Sequence, residues 1–452
     1  MKKRIFIIVI SWVLLVPFAG ANDSLQVEKQ DIVIPYITKN GDVDRRTVRV
    51  IIPKTAQKPV PLIFFAHYPT DEKGADVTEF FKKGWAIAMM ADFKSVEYNN
   101  TLTDDNLVFN SAALSVVRKL PEIDRTRIGV MGGSAGGYMS LMLSALHLGI
   151  CSSVSLAGIT NLRFNMPDYF VHAHSYNLRE IEKLNADERN NMERRREVMP
   201  IPILGSIFDF FIPLIHNFSD PNDTDRWAAF SPTSLTGCFS NPVLHTHFTS
   251  DILVPVDQVT KKYTYPNGST LPAGFKLRLS QFNLPEKLQL SMAEAMPAED
   301  LSERLVPIPE GSIIVPEFDA SKRLNIIIYD EGPVEAAAGH QKHPTGRFSL
   351  TTYFETHFAR TSRLTNVLTV EKLALLAERY AGTCVQLPVR QTTDETLYGS
   401  AAKYRADVMD ELTDYANGCD KDKLTDVFKK TAVKRPDLSK TLDEIITALL
   451  KN

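Results

Sequence analysis

A serine set among glycines, Gly132-Gly133-Ser134-Ala135-Gly136, is the part of this chain best suited to do chemistry. A serine hydroxyl is a poor nucleophile until a base takes its proton, and that base needs a third group to orient it. Candidates for both partners follow Ser134 in the chain. Asp251 stands in Ser250-Asp251-Ile252-Leu253-Val254-Pro255, with Asp257 as an alternative, and His340 stands in Ala338-Gly339-His340, with His343 three residues on. A G-x-S-x-G pattern between an apolar strand (127–131) and a helix reads as a nucleophile elbow. The small residues let the backbone turn sharply, the serine Oγ projects from the sheet, and the helix N-terminus offers donors to an oxyanion. The Ala135 N–H, next after the nucleophile, is the first such donor.

Groups this far apart in sequence meet only if a sheet carries them to one edge. Strand-like runs occur at 31–37, 47–52, 61–66, 86–92, 127–132, 152–157, 242–248 and 324–330. Those from 61 onward are continuous apolar runs, as parallel strands covered on both faces require. Helical patterns at 77–82, 106–120 and 137–147 alternate with them. The spacing predicts an α/β doubly wound fold, a mostly parallel eight-stranded sheet with helices on both faces and its site at the strands' carboxyl ends. Ser134, Asp251 and His340 each fall just past a strand, in the order serine, acid, histidine that marks the α/β-hydrolase fold.

Two insertions interrupt the alternation. The first, 160–233, is mostly helical and is expected to form a cap. Its apolar stretch 198–218, with Phe208, Phe211 and Ile215, is a candidate acyl pocket or else the cap's own core. The second, 256–322, carries a hairpin signal at Asn267-Gly268 and an amphipathic segment at 285–296. The hydrolase domain so defined runs over 22–360, and 361–452 is expected as a helical C-terminal extension.

The stretch Ile123-Asp124-Arg125-Thr126-Arg127-Ile128-Gly129-Val130-Met131-Gly132-Gly133-Ser134-Ala135-Gly136-Gly137 resembles the elbow region of prolyl-oligopeptidase-like serine hydrolases and related acyl esterases. Phe230-Ser231-Pro232 and the D-x-x-V-P loop Asp251-Ile252-Leu253-Val254-Pro255 are similar to the same group, and the likeness covers 31–359 outside the insertions. It implies a Ser134–His340–Asp251 triad and an acyl-enzyme. The chain departs from the group after the third strand, where many esterases have His-Gly-Gly and this sequence has Ala66-His67-Tyr68-Pro69-Thr70. The second oxyanion donor is then the Tyr68 backbone N–H or the Tyr68 hydroxyl, the latter being what similar peptidases use. His67 is expected to pack or hydrogen-bond rather than react. Peptidases of the group carry a large N-terminal propeller, for which the residues ahead of the third strand leave no room. The resemblance therefore implies carboxylic-ester hydrolysis. A peptidase of prolyl-oligopeptidase type, or an inactive α/β-hydrolase serving as a binding protein, are the alternatives.

Lys2-Lys3-Arg4, the apolar run 5–16 and Ala19-Gly20-Ala21 read as a cleaved signal peptide over 1–21. The expected location is periplasmic or secreted, without a lasting membrane anchor. Net charge is −3, three units more negative without the leader's basic residues, and no basic stripe occurs. That argues against nucleic acid as a partner and leaves a small-molecule ester as the expected one. Four cysteines in an exported chain suggest two disulfides, Cys151–Cys238 and Cys384–Cys419. The pairs His172/His174 and His245/His247 have the strand spacing of metal ligands but no evident third ligand, so neither metal nor cofactor is expected. His247, close to Asp251, is a candidate for lining the site.

Overall fold

The computed structural model describes residues 26–91, 104–200, 218–249, 251–261, 279–307, 313–330, 348–359, 367–419 and 421–451. Nine strands form one sheet: β1 (Val27–Ile37), β2 (Val43–Pro53), β3 (Val60–Phe65), β4 (Ala86–Met90), β5 (Ile123–Gly133), β6 (Ser152–Leu156), β7 (Val243–Phe248), β8 (Leu301–Pro307) and β9 (Leu324–Asp330). Their order is β1-β2-β4-β3-β5-β6-β7-β9-β8. β1 runs antiparallel to β2 and β2 antiparallel to β4, and all other neighbours are parallel.

The expected class is formed, with one strand more than the eight expected. β8 lies inside the second expected insertion and pairs with β9 along its whole length, from Leu301 opposite Leu324 to Pro307 opposite Asp330. Every β8 residue is half-buried or exposed, which is why a run as polar as Ser302-Glu303-Arg304 can serve as an edge strand.

Strand periodicity divides the interior into two cores. Leu62 and Phe64 of β3 belong to the core that takes in α2 (Asp104–Val117) and α3 (Ala135–Leu146). Ile63 and Phe65 belong to the core with α1 (Ala75–Lys82) and α5 (Thr351–Ala359) on the other face. The first insertion begins with a π-helix over Phe164–Phe170, containing Pro167, that runs into α4 (Val171–Ile181). The extension consists of α6 (Val370–Ala381), α7 (Ala401–Ala416), α8 (Lys421–Lys434) and α9 (Ser439–Lys451). These four helices enclose a third core, which Leu148 from the end of α3 enters.

The expected disulfides are not formed. All four cysteines are free thiols. Cys151 lies in the α1–α5 core, its thiol directed at the His357 carbonyl (3.3 Å), whereas Cys238 lies in the core on the opposite face, so the sheet stands between them. Cys384 is buried against Gln386 Oε1 (3.2 Å), while Cys419 bonds the Tyr415 hydroxyl. Burial pushes the Cys238 thiol up to about 12 and Cys384 up to about 11, so both are protonated at neutral pH. Among the described residues no helix is long and apolar enough to cross a membrane.

Candidate active site

β5 delivers Ser134 to the sheet's carboxyl edge in a strained conformation, φ 54° and ψ −120°. The Ser134 N–H donates to the Leu156 carbonyl at the end of β6 (2.8 Å), and the Tyr138 N–H donates to the Ser134 carbonyl (2.9 Å), closing the first turn of α3. The turn depends on two glycines. A Cβ on Gly132 would lie 2.5 Å from the Gly136 carbonyl, and one on Gly136 would lie 2.7 Å from the Ala66 oxygen. The elbow therefore touches the end of β3 directly.

At that end the chain turns at His67, whose φ is 69°. Ala66 N–H bonds the Met131 carbonyl (2.8 Å), and Tyr68 N–H folds back onto the Ala66 carbonyl (2.8 Å). Of the two donors expected at Tyr68, the backbone N–H is thus engaged within the turn. The Tyr68 ring lies against the elbow, with Cδ2 3.5 Å from where a Gly136 Cβ would stand. Ala157 just after β6 has φ 43°, so the three non-glycine residues of positive φ among the described residues all follow the ends of β3, β5 and β6. Such conformations cost on the order of 1–3 kcal/mol each and gather where a site needs them.

Asp251 follows β7, two strands from β5, about 10 Å across the sheet at the usual strand spacing. Its Oδ1 accepts the N–H groups of Leu253 and Val254 (2.9 Å each), which winds the loop around the carboxylate. From the neighbouring insertion, the Tyr169 hydroxyl donates to the Ile252 carbonyl (2.6 Å). Gln258 Oε1 accepts from the N–H groups of Thr160 and Asn161 (2.9 and 3.0 Å), stitching the end of the loop to the chain leaving β6. Asp257, the alternative acid, is buried in the turn Val256–Gln258.

His245 and His247 are fully buried on β7 and extend this scaffold. His247 Nε2–H donates to the Val254 carbonyl (2.6 Å) and lies 3.8 Å from Asp251 Oδ2. Its Nδ1 meets His245 Nε2 (3.2 Å), and His245 Nδ1 meets the Ser155 hydroxyl (3.1 Å). Burial, and the neighbouring His247, hold His245 well below the ordinary histidine value. The other pair is placed differently: His172 and His174 lie on α4, where residues two apart point to different sides, and the His172 ring packs edge-on against Tyr176 and Phe282.

His67 is buried, as expected of a packing residue. Asn106 Nδ2 donates to its Nδ1 (2.7 Å), fixing the proton on Nε2, and Asn110 Oδ1 accepts its backbone N–H (2.9 Å). Burial, with Arg46 nearby, pushes His67 down to about 3. A value below that of the unfolded chain means that the unfolded state takes up the proton first as the solution is acidified. The contribution is fully present above about pH 6.5 and is lost toward pH 3, at about 1.4 kcal/mol per pH unit for one proton. Urea unfolding between pH 6 and 4 is expected to show a slope shallower by one proton in His67→Gln. An unchanged slope would mean that His67 is not held neutral.

A second serine–histidine–acid arrangement, unforeseen in the sequence, lies at the far end of α3. The Ser111 hydroxyl meets His147 Nε2 (2.7 Å), and His147 Nδ1 meets Glu411 Oε1 (2.7 Å). Ser111 is mid-helix in α2, and all three residues are at most 4 % exposed, so no substrate can reach them. Glu411 Oε2 also accepts the Leu148 N–H (2.6 Å). Despite burial, which raises it, the Glu411 carboxyl is held far below the usual range by His147 and Arg379. Beside it, Lys372 Nζ donates to the carbonyls of Ser144, Ala145 and His147 (2.7 Å each), and Arg379 donates to that of Leu146 (2.5 Å). Burial pushes Lys372 down to about 7, yet three carbonyl acceptors match the three protons of its charged form. These cations from α6 cap the C-terminus of the helix whose N-terminus carries the elbow.

His340 and His343 lie outside the described residues, as do Phe208, Phe211 and Ile215, residues 1–21 and the expected hairpin at Asn267-Gly268. β9, the neighbour of β7, ends at Asp330, ten positions before His340.

No protein-family model and no curated protein matches the sequence. Solved structures do. An acylaminoacyl peptidase from Pyrococcus horikoshii is 16 % identical, covering 75 % of this chain and 42 % of its own, with a TM-score of 0.39. A puromycin hydrolase is 11 % identical over 74 % of this chain and 39 % of its own, with a TM-score of 0.38. Acetyl xylan esterase 1 from Thermoanaerobacterium sp. is 18 % identical over 51 % of this chain and 74 % of its own, with a TM-score of 0.29. The chain thus spans about two-fifths of the length of the peptidase and the puromycin hydrolase. Strand order and the elbow after β5 decide the architecture. The fold is that of the α/β-hydrolases.

Proposed function

We propose that this chain is an exported serine hydrolase that cleaves carboxylic esters through Ser134, His340 and Asp251. The observation that carries the reading is the strained Ser134 at the N-terminus of α3, in contact with a second strained turn that presents Tyr68. Ser134 Oγ attacks the acyl carbon while His340 takes its proton, and Asp251 orients the imidazole. The oxyanion is met by the Ala135 N–H and the Tyr68 hydroxyl. Collapse expels the alcohol, protonated by His340, and leaves Ser134 acylated. Water then gives a proton to His340 as it attacks the acyl carbon, and His340 returns that proton to Ser134 Oγ as the second tetrahedral intermediate collapses to the acid and the free serine. Alkoxide is a better leaving group than amide nitrogen, so this machinery turns over an activated ester even if it also cleaves amides. Export rests on the leader-like residues 1–21.

The test is covalent. A fluorophosphonate probe is expected to label the folded protein once, on the peptide carrying Ser134, with turnover of p-nitrophenyl esters lost in step. Strong cleavage of aminoacyl p-nitroanilides without ester turnover would replace the ester reading by the peptidase one. Absence of labelling would replace both by the binding-protein reading.

A further inference from the structure

We propose that Asn110 and Asn106 of α2 are positioning residues for the oxyanion site, holding His67 in its left-handed conformation and thereby setting where the Tyr68 hydroxyl points. The inference rests on the reading of Tyr68 as an oxyanion donor.

Three observations converge on it. At His67 the chain takes φ 69°, a conformation that a side chain with a Cβ disfavours, and within the turn one hydrogen bond, Tyr68 N–H to the Ala66 carbonyl (2.8 Å), spans it. The turn is held from outside as well. Asn110 Oδ1 accepts the His67 backbone N–H (2.9 Å), and Asn106 Nδ2 donates to the His67 ring (2.7 Å). The backbone and the side chain of one strained residue are therefore both fixed by side chains one helical turn apart.

The two asparagines are themselves fixed. Asn110 Nδ2 donates to the Asn106 carbonyl (2.8 Å) and to Asn106 Oδ1 (3.2 Å), and Arg46 reaches Asn106 Oδ1 from β2 (3.4 Å). All of the hydrogen-bonding groups of the Asn110 amide that the turn needs are thus directed by α2, which is buried along nearly its whole length. Tyr68 is the next residue in the chain. Its ring packs edge-on against the His67 ring, with centroids 4.1 Å apart, and lies against Gly136 of the elbow. A rotation at His67 moves the Tyr68 ring relative to Ser134, and an oxyanion donor acts only within a few tenths of an ångström of the position the oxygen will occupy.

A double-mutant cycle on a p-nitrophenyl ester tests this. Tyr68→Phe alone is expected to lower kcat by about 10²–10³-fold, as loss of one oxyanion donor does. Asn110→Ala is expected to lower kcat by roughly 10–100-fold with KM within about twofold, because the donor acts in the transition state. The decisive readout is the double variant, expected to be no worse than Tyr68→Phe within about threefold, since Asn110 acts through Tyr68. Multiplying losses, or full kcat in Asn110→Ala, would overturn the inference while leaving the serine mechanism intact. Full kcat in Tyr68→Phe would instead remove Tyr68 from the oxyanion site, and the inference with it. If Asn110→Ala does not fold, Asn110→Asp carries the cycle, since it keeps an acceptor for the His67 N–H. It is expected to retain kcat within about tenfold, and a larger loss that multiplies with Tyr68→Phe would overturn the proposal.

Discussion

Ester turnover by Ser134→Ala is expected to fall by about 10⁶-fold, the scale seen when the nucleophile of a serine triad is removed. What remains would come from binding and the oxyanion donors acting on water. The loss should be purely chemical, because alanine keeps the Cβ and so keeps both the fold and the strain at φ 54°. Ser134→Gly is the informative companion. Glycine takes that conformation without steric cost, so this variant should be equally inactive yet about 1 kcal/mol more stable in urea unfolding. Turnover above about 1 % in the alanine variant would put the nucleophile elsewhere. A glycine variant less stable than the parent would mean that the elbow is not strained.

Glu411→Gln carries the largest expected loss of stability, about 3–5 kcal/mol. The Glu411 carboxylate accepts from His147 and Leu148 and faces Arg379 at 3.9 Å, at a depth where it is 1 % exposed. An amide removes the negative charge and sets its own N–H groups against those donors. Lys372 and Arg379 then stay buried without a counter-charge, which costs far more than the net worth of the pair. Because the same cations cause the penalty, adding Lys372→Met should cost much less in the Glu411→Gln background than alone. The check is urea unfolding of the four proteins. A loss below about 1 kcal/mol for Glu411→Gln would mean that the carboxylate carries no net load.

The central sheet was legible for a physical reason. Strands such as β3 and β4 are buried on both faces and apolar at every position, the mark that a parallel core leaves in a sequence. Ser134 was legible because the elbow demands small residues at fixed places. β8 was not, because an edge strand needs no apolar run. The cysteine pairing failed because an even count says nothing about which face of the sheet a thiol meets, and Cys151 and Cys238 meet opposite ones. Asn106, Asn110 and the Ser111–His147–Glu411 cluster left no local signal. Their partners lie 36 to 264 positions away, and asparagine or serine within a helix carries no pattern of its own.

The clamp on α3 also joins parts of the chain that are made far apart in time. The chain is made from its first residue onward, and domains tend to fold as they emerge. Ser134 and most of the sheet are therefore available long before Lys372, Arg379 and Glu411 have been synthesised. Until those residues arrive, the last carbonyls of α3 have only water as a partner, and Leu148 has no core to enter. A nascent chain stopped between β9 and α6 would hold its nucleophile on a helix unfinished at one end. The helices of the extension thus complete the helix that carries the nucleophile, and a defect in their core would reach Ser134 along α3.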